Sequence, residues 1–194
     1  MSNEANIRQF LSELKKKEKE IARLMRREMP VHAGRIAKDH FQENFRRGGF
    51  VNNGLQRWPK SKRELSGGKS AAANYKTLLS ARNHLYSSIR YTPEEGKVTV
   101  FNNVKYAPVH NWGGTVSPTV TPRMRKFAWW KFYSGGGKEK PDDPDARFWK
   151  NLALTKKTKL NIRVPQRQFL GESKELDEKL RNKLDSEVEK IMFK

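Results

Sequence analysis

The sequence predicts an α+β protein, and three observations carry that prediction. Apolar residues recur at three- and four-residue spacing near both ends of the chain, which is the helical period. Between those ends, short β-branched runs alternate apolar and polar residues around turn-forming sequences. The two kinds of pattern occupy separate stretches, so helices should segregate at the ends of a small antiparallel sheet instead of alternating with its strands.

The first helix is expected over residues 4–28, where Ile7, Phe10, Leu11, Leu14, Ile21, Leu24 and Met25 form a stripe that lapses at Lys17-Glu18. Pro30 has no amide proton, so it marks either a kink or the first turn of a second helix. That second helix carries Ala33, Ala37, Phe41 and Phe45 on one face and should end at Gly48-Gly49, because glycine accepts the left-handed conformation past a helix end. Residues 48–74 read as a long basic loop with Trp58 at its centre. From Tyr75 to Ser88 the spacing suits a short helix or two turns, with Asn83 placed as an N-cap before Leu85.

The clearest strand signal follows. Ile89–Thr92 and Lys97–Phe101 flank Pro93-Glu94-Glu95-Gly96, a hairpin turn sequence. Thr115–Thr121 and Leu160–Val164 are further strand candidates, so three or four strands are expected in one meander. Residues 122–147 read as a second basic variable loop, flexible around Ser134-Gly135-Gly136-Gly137 and Lys138–Asp145. Leu176, Leu180, Leu184, Val188, Ile191 and Met192 give a C-terminal amphipathic helix. The 194 residues suffice for one ordinary domain, 1–194, in which the amphipathic segment 1–30 can serve as an extended arm.

Composition narrows the functional classes. The formal net charge is +20, a field that favours polyanions or acidic protein surfaces. The excess is local: residues 35–90 carry 12 Lys and Arg against 3 Asp and Glu, and residues 122–163 carry 12 against 4. The absence of cysteine excludes disulfides and thiolate metal sites. No apolar run approaches the ~20 residues of a membrane span, and the N-terminus lacks a secretory pattern, so a soluble protein of a reducing cytoplasm without membrane partners is expected.

Chemistry-bearing motifs are scarce. His110 stands beside Asn111 and before two glycines, but no cysteine or nucleophile elbow accompanies it. On the bland reading Tyr106 and His110 share one face of a short helical turn that Gly113-Gly114 ends. His32, His40, His84 and His110 lack metal-binding spacing, and Asp142-Asp143-Pro144-Asp145 lacks the alternation of a calcium loop; neither metal nor cofactor is expected. Two blocks interleave cations with large rings: Arg57, Trp58, Lys60, Lys62 and Arg63, and then Arg123, Arg125, Lys126, Trp129, Trp130 and Lys131. Such mixtures serve nucleic acid, by neutralising phosphates and stacking bases, and they serve protein interfaces equally well.

Three segments in fixed order carry more information than any single residue. They are Leu78–Ile89, then Tyr106-Ala107-Pro108-Val109-His110-Asn111-Trp112-Gly113-Gly114, then Val164-Pro165-Gln166-Arg167-Gln168-Phe169-Leu170-Gly171. With the Phe50 and Trp58-Pro59 pair they resemble the phage virion morphogenesis proteins, tail-completion factors in which a Tyr-Ala-x-x-His-x-x-Gly-Gly stretch precedes Pro-x-Arg-x-Phe-Leu-Gly. Two departures stand out: Ser80-Ala81 replaces the family's Thr-Gly, and Gln168 replaces a second proline. The resemblance implies a small sheet with helices on one face. It implies a non-enzymatic assembly role in completing the tail and joining it to the head, carried out in the host cytoplasm and retained in the virion. Expected partners are other tail and neck proteins and further copies of the chain, plausibly as a ring, with non-specific DNA contact by the basic loops. A non-specific double-stranded DNA-binding protein is the alternative. Tyr106, Ala107, His110, Gly113, Gly114, Pro165, Arg167, Phe169, Leu170 and Gly171 are expected to define the fold, with no catalytic role.

Overall fold

The computed structural model describes residues 2–65 and 74–193. The chain divides into two compact units: Met1–Trp112 with Gln166–Lys194, and Gly113–Pro165. The class is α+β, with 56% helix and 14% strand.

In the first unit, helix α1 (Ser2–Arg23) passes through one π-helical turn, Leu24–Glu28, into α2 (Met29–Arg47). Pro30 explains the turn. A proline cannot donate to the carbonyl four residues back, so the Arg26 oxygen is left over. The Gly96 amide donates to that oxygen at 2.9 Å, and Met29 N–H reaches back five residues to Leu24. The Arg26 carbonyl thereby finds a partner outside the helix. Gly48 closes α2 at φ 69°, the left-handed cap that the sequence calls for.

Strands β1 (Gly49–Val51) and β2 (Leu55–Arg57) pair antiparallel, and α3 (Lys62–Leu65) follows; all three lie where a long loop is expected. Residues 66–73 of that expected loop lie outside the described residues. A single turn, α4 (His84–Ser87), is what the 75–88 stretch provides. Asn83 does not cap it: the residue sits at φ 44°, and its side-chain oxygen accepts from Ser80 N–H. A capping residue needs extended geometry to aim its side chain at the helix, and Asn83 lacks it.

Strands β3 (Ile89–Glu94) and β4 (Lys97–Asn102) form the predicted hairpin, with Pro93 and Glu94 inside the ladder and only Glu95-Gly96 in the turn. The hairpin packs on α2. At Gly34 the approach leaves no room for a side chain, because an added Cβ would overlap the Tyr91 ring. Gly34→Ala should therefore destabilise by about 1–3 kcal/mol, despite alanine's better helix propensity. A thermal melt of the variant checks this; an unchanged or higher midpoint contradicts it. Helix α5 (Ala107–Trp112) completes the middle of this unit. The C-terminal helix α8, Lys174–Met192, is capped by the Ser173 hydroxyl, which accepts from Leu176 N–H. The core joins Phe41, Phe45, Phe50, Trp58, Ile89 and Phe169.

The second unit holds β5 (Gly114–Val116), α6 (Pro122–Ser134), α7 (Pro144–Leu154) and β6 (Ile162–Val164). Strands β5 and β6 pair antiparallel, with a further bridge between Thr119 and Lys159. Two corrections to the sequence reading follow. The expected loop 122–147 is mostly helix, started by Thr121, whose hydroxyl accepts from Met124 N–H, and again by Asp143, whose carboxylate accepts from Asp145 and Ala146 N–H. A proline at the first position of each helix fits the same geometry. The strands do not form one meander: the described residues hold three separate two-stranded sheets, β1-β2, β3-β4 and β5-β6.

Candidate binding site

The polypeptide leaves the first unit after Trp112 and re-enters it at Gln166, so the Tyr106–Gly114 and Val164–Gly171 motifs flank the second unit in sequence. Inside the first unit their ends are tied together. Arg167 N–H donates to the His110 carbonyl at 2.7 Å. The Asn111 side-chain oxygen accepts from both Phe169 and Leu170 N–H at 2.9 Å, and its amide donates to the Leu170 carbonyl at 3.1 Å. One buried carboxamide thus serves three backbone groups that have no ladder partner.

Asn44 performs the matching task from α2. It donates to the Phe169 carbonyl at 3.3 Å and accepts from Val51 N–H at 3.2 Å. Trp58 donates its indole N–H to the Gln168 carbonyl at 2.7 Å. Between these clamps Phe169 is fully buried, its ring 5.1 Å from that of Phe45.

The sequence reading names Asn111 only as a neighbour of His110 within a motif and gives neither asparagine a role. Each did leave a signal, a polar residue set among apolar ones: Asn44 beside Phe41 and Phe45, Asn111 beside Val109 and Trp112.

The motif residues themselves occupy distinct positions. Ala107 is buried, whereas Tyr106 is exposed and places its hydroxyl 3.2 Å from His84 Nδ1. The Tyr106 ring also meets His110 edge-on at 5.9 Å. Gly113 and Gly114 take φ of 74° and 145° just past α5, and Gly171 takes 156° before α8. Pro165 closes the second unit after β6. Arg167 is buried and donates from Nε to the Pro59 carbonyl at 2.9 Å.

The basic blocks need one correction. Trp58 is 8% exposed and edge-stacked on Phe45 at 5.4 Å, so it is a core residue and offers no face for a base. Arg63 donates to the carbonyls of Tyr75, Lys76 and Leu79 and so holds a loop. Arg57, Lys60 and Lys62 are exposed.

In the second unit, Arg123 and Lys126 are exposed on α6, and Arg125 is half-buried. Lys131 Nζ lies 5.2 Å from the Trp130 ring centre and 5.9 Å from that of Phe127. The core of this unit is small, formed by Ala128, Phe132, Ala146 and Ala153, while Phe127, Trp130, Tyr133 and Phe148 stay exposed.

Two histidines have depressed pKa values. His40 is lowered by burial first and by the nearby charge of Lys179 second, and His110 by burial and then by Arg167. Each loses affinity for the proton on folding, so the unfolded state binds more protons and stability rises with pH. The contribution is complete above the ordinary histidine value of 6.5 and is lost as pH falls through the folded values. Urea midpoints at about pH 7.5 and about pH 5.5 should therefore differ, the acidic one being lower. The gap should narrow in His40→Gln, and an equal gap in that variant would contradict the assignment.

No group of three or more histidine, aspartate or glutamate side chains among the described residues is placed to hold a metal ion. No helix among them is long and apolar enough to cross a membrane. What fold and site define is, in the first unit, a framework in which buried polar side chains fasten backbone segments and, in the second unit, a helix surface rich in cations and rings.

The phage virion morphogenesis family matches residues 3–189, and the chain belongs to that family. Neither the curated proteins nor the solved structures compared with it contain a match. Membership supports a structural or assembly role in the phage particle.

Proposed function

We propose that this protein is a non-enzymatic assembly factor that completes the tail end of a phage or prophage particle and enables head–tail joining. The family match across nearly the whole sequence carries the reading. The surfaces support it. On α1, Ile7, Phe10, Leu11 and Leu14 lie exposed at helical spacing, an apolar stripe suited to another copy or to a neighbouring tail or neck protein. The exposed rings of Phe127, Trp130 and Tyr133 among cations have the composition of an interface centre. A closed ring is the oligomer most consistent with such self-association, assembled in the host cytoplasm and kept in the virion.

Electron micrographs of lysates from the source phage with this gene deleted test the proposal. Filled heads beside free, unjoined tails are expected, and normal infectious particles overturn it. Exposed Arg123 and Lys126, on the helix that also carries the exposed Trp130 ring with Lys131 over it, favour a second reading, non-specific DNA contact. That reading requires duplex binding that weakens steeply as salt rises, whereas assembly alone requires none.

A further inference from the structure

A cleft of about 340 Å³ opens in the first unit, lined by Arg167, His110, Tyr106 and His84 with Leu78 and Leu85 among its apolar walls. Arg167 is the unusual member. It is 8% exposed, Nε is committed to the Pro59 carbonyl, and no carboxylate among the described residues forms an ion pair with it. Residues 66–73 contain no aspartate or glutamate that could do so. The acid whose charge reaches Arg167 is Glu64, and its Oε2 already accepts from Thr77 N–H at 2.9 Å and from the Thr77 hydroxyl at 2.6 Å.

Beside Arg167, His110 Nδ1 is buried without a hydrogen-bond partner among the described residues. Buried guanidinium groups are ordinarily matched by an anion, because desolvating the cation is costly and the planar fork fits a carboxylate. The leucines decide which anion fits best. A bare, hydrated phosphate gains nothing from Leu78 and Leu85, and a DNA duplex is too wide for a cleft of this volume. A carboxylate attached to an aliphatic group satisfies both the polar floor and the apolar wall.

The geometry points to this cleft as a receptor for a carboxylate presented by a polypeptide, either an acidic side chain or the terminal carboxylate. The inference stands apart from the assembly reading, since it concerns only what this cleft binds.

The 194-residue chain has four histidines, so imidazole NMR reads the site directly, with His32 and His40 as internal controls. The probe is N-acetyl-leucine, one carboxylate beside one isobutyl group; N-acetyl-leucinamide is the neutral control and inorganic phosphate the competing anion. At about 0.15 M salt, N-acetyl-leucine should shift His84 and His110 along a saturable curve with a roughly millimolar Kd, leaving His32 and His40 still. The amide should shift none of them, and phosphate should bind at least about tenfold more weakly. Four histidines moving together and linearly, equal response to the amide, or tighter binding of phosphate would each overturn the proposal. Arg167→Lys, which removes the fork, should weaken binding about tenfold or more. Arg167 also holds Pro59, so exposed His84 supplies the second variant: His84→Glu sets an acid at the cleft and should abolish the titration with an unchanged melt. Undiminished binding in a folded His84→Glu protein overturns the assignment.

Discussion

Phe169→Ala is expected to destabilise the first unit by about 3–5 kcal/mol, enough to lower its melting midpoint by many degrees. The ring has no exposed surface and lies against Phe45 within the cluster that also contains Phe50 and Trp58. Its backbone cannot relax into the space, because Asn111 holds the amide and Asn44 the carbonyl. A rigid frame around a deleted ring leaves the cavity open, which places the cost toward the upper end of that range. Circular dichroism during thermal unfolding checks it; an unchanged midpoint would mean that the ring is not core in solution.

Asn111→Ala should cost a comparable amount, about 3 kcal/mol or more, for a different reason. The substitution removes few packing contacts, but it leaves the Phe169 and Leu170 amides without partners and the Leu170 carbonyl with only the longer bond from the Gln168 side-chain amide, at 3.4 Å. Each buried unsatisfied group carries a penalty of about 1–3 kcal/mol. Asn111→Asp separates hydrogen bonding from volume. The carboxylate can still accept from Phe169 and Leu170 N–H but cannot donate to the Leu170 carbonyl, so the loss should persist and ease as low pH protonates it. A melt of Asn111→Ala matching that of the parent protein would show that water replaces the side chain.

Local patterns made much of the fold readable. The apolar stripes announced α1, α2 and α8, and alternation around a turn announced β3 and β4. Thr115–Thr121 and Leu160–Val164 were likewise recognisable, and they do pair, over Gly114–Val116 with Ile162–Val164. Helices α6 and α7 were missed because their cations and the Gly135-Gly136-Gly137 run between them read as loop, although Thr121-Pro122 and Asp143-Pro144 are helix-start signals. Strands β1 and β2 are three residues each, too short for a period to register.

The candidate site was legible only in outline. Tyr106–Gly114 and Val164–Gly171 stood out as motifs, but the reason they belong together is spatial. No local pattern couples Asn111 to Phe169 across the intervening second unit, nor Asn44 to either. The same holds for Trp58, whose cationic neighbours suggested a base-stacking surface, whereas its indole lies against Phe45 and donates to the Gln168 carbonyl.

By itself the sequence determined the α+β class, the helical ends, the central hairpin and, through motifs in order, the family. These are properties of short windows, where periodicity and backbone sterics act between near neighbours. The tertiary structure alone decided that the sheets stay separate and that the polypeptide forms two units. It also decided that two asparagines clamp Phe169, and that Arg167 lies buried without an ion-pair partner among the described residues. Those outcomes depend on which distant segments share a buried volume, because burial makes every unpaired polar group costly and so selects its partner.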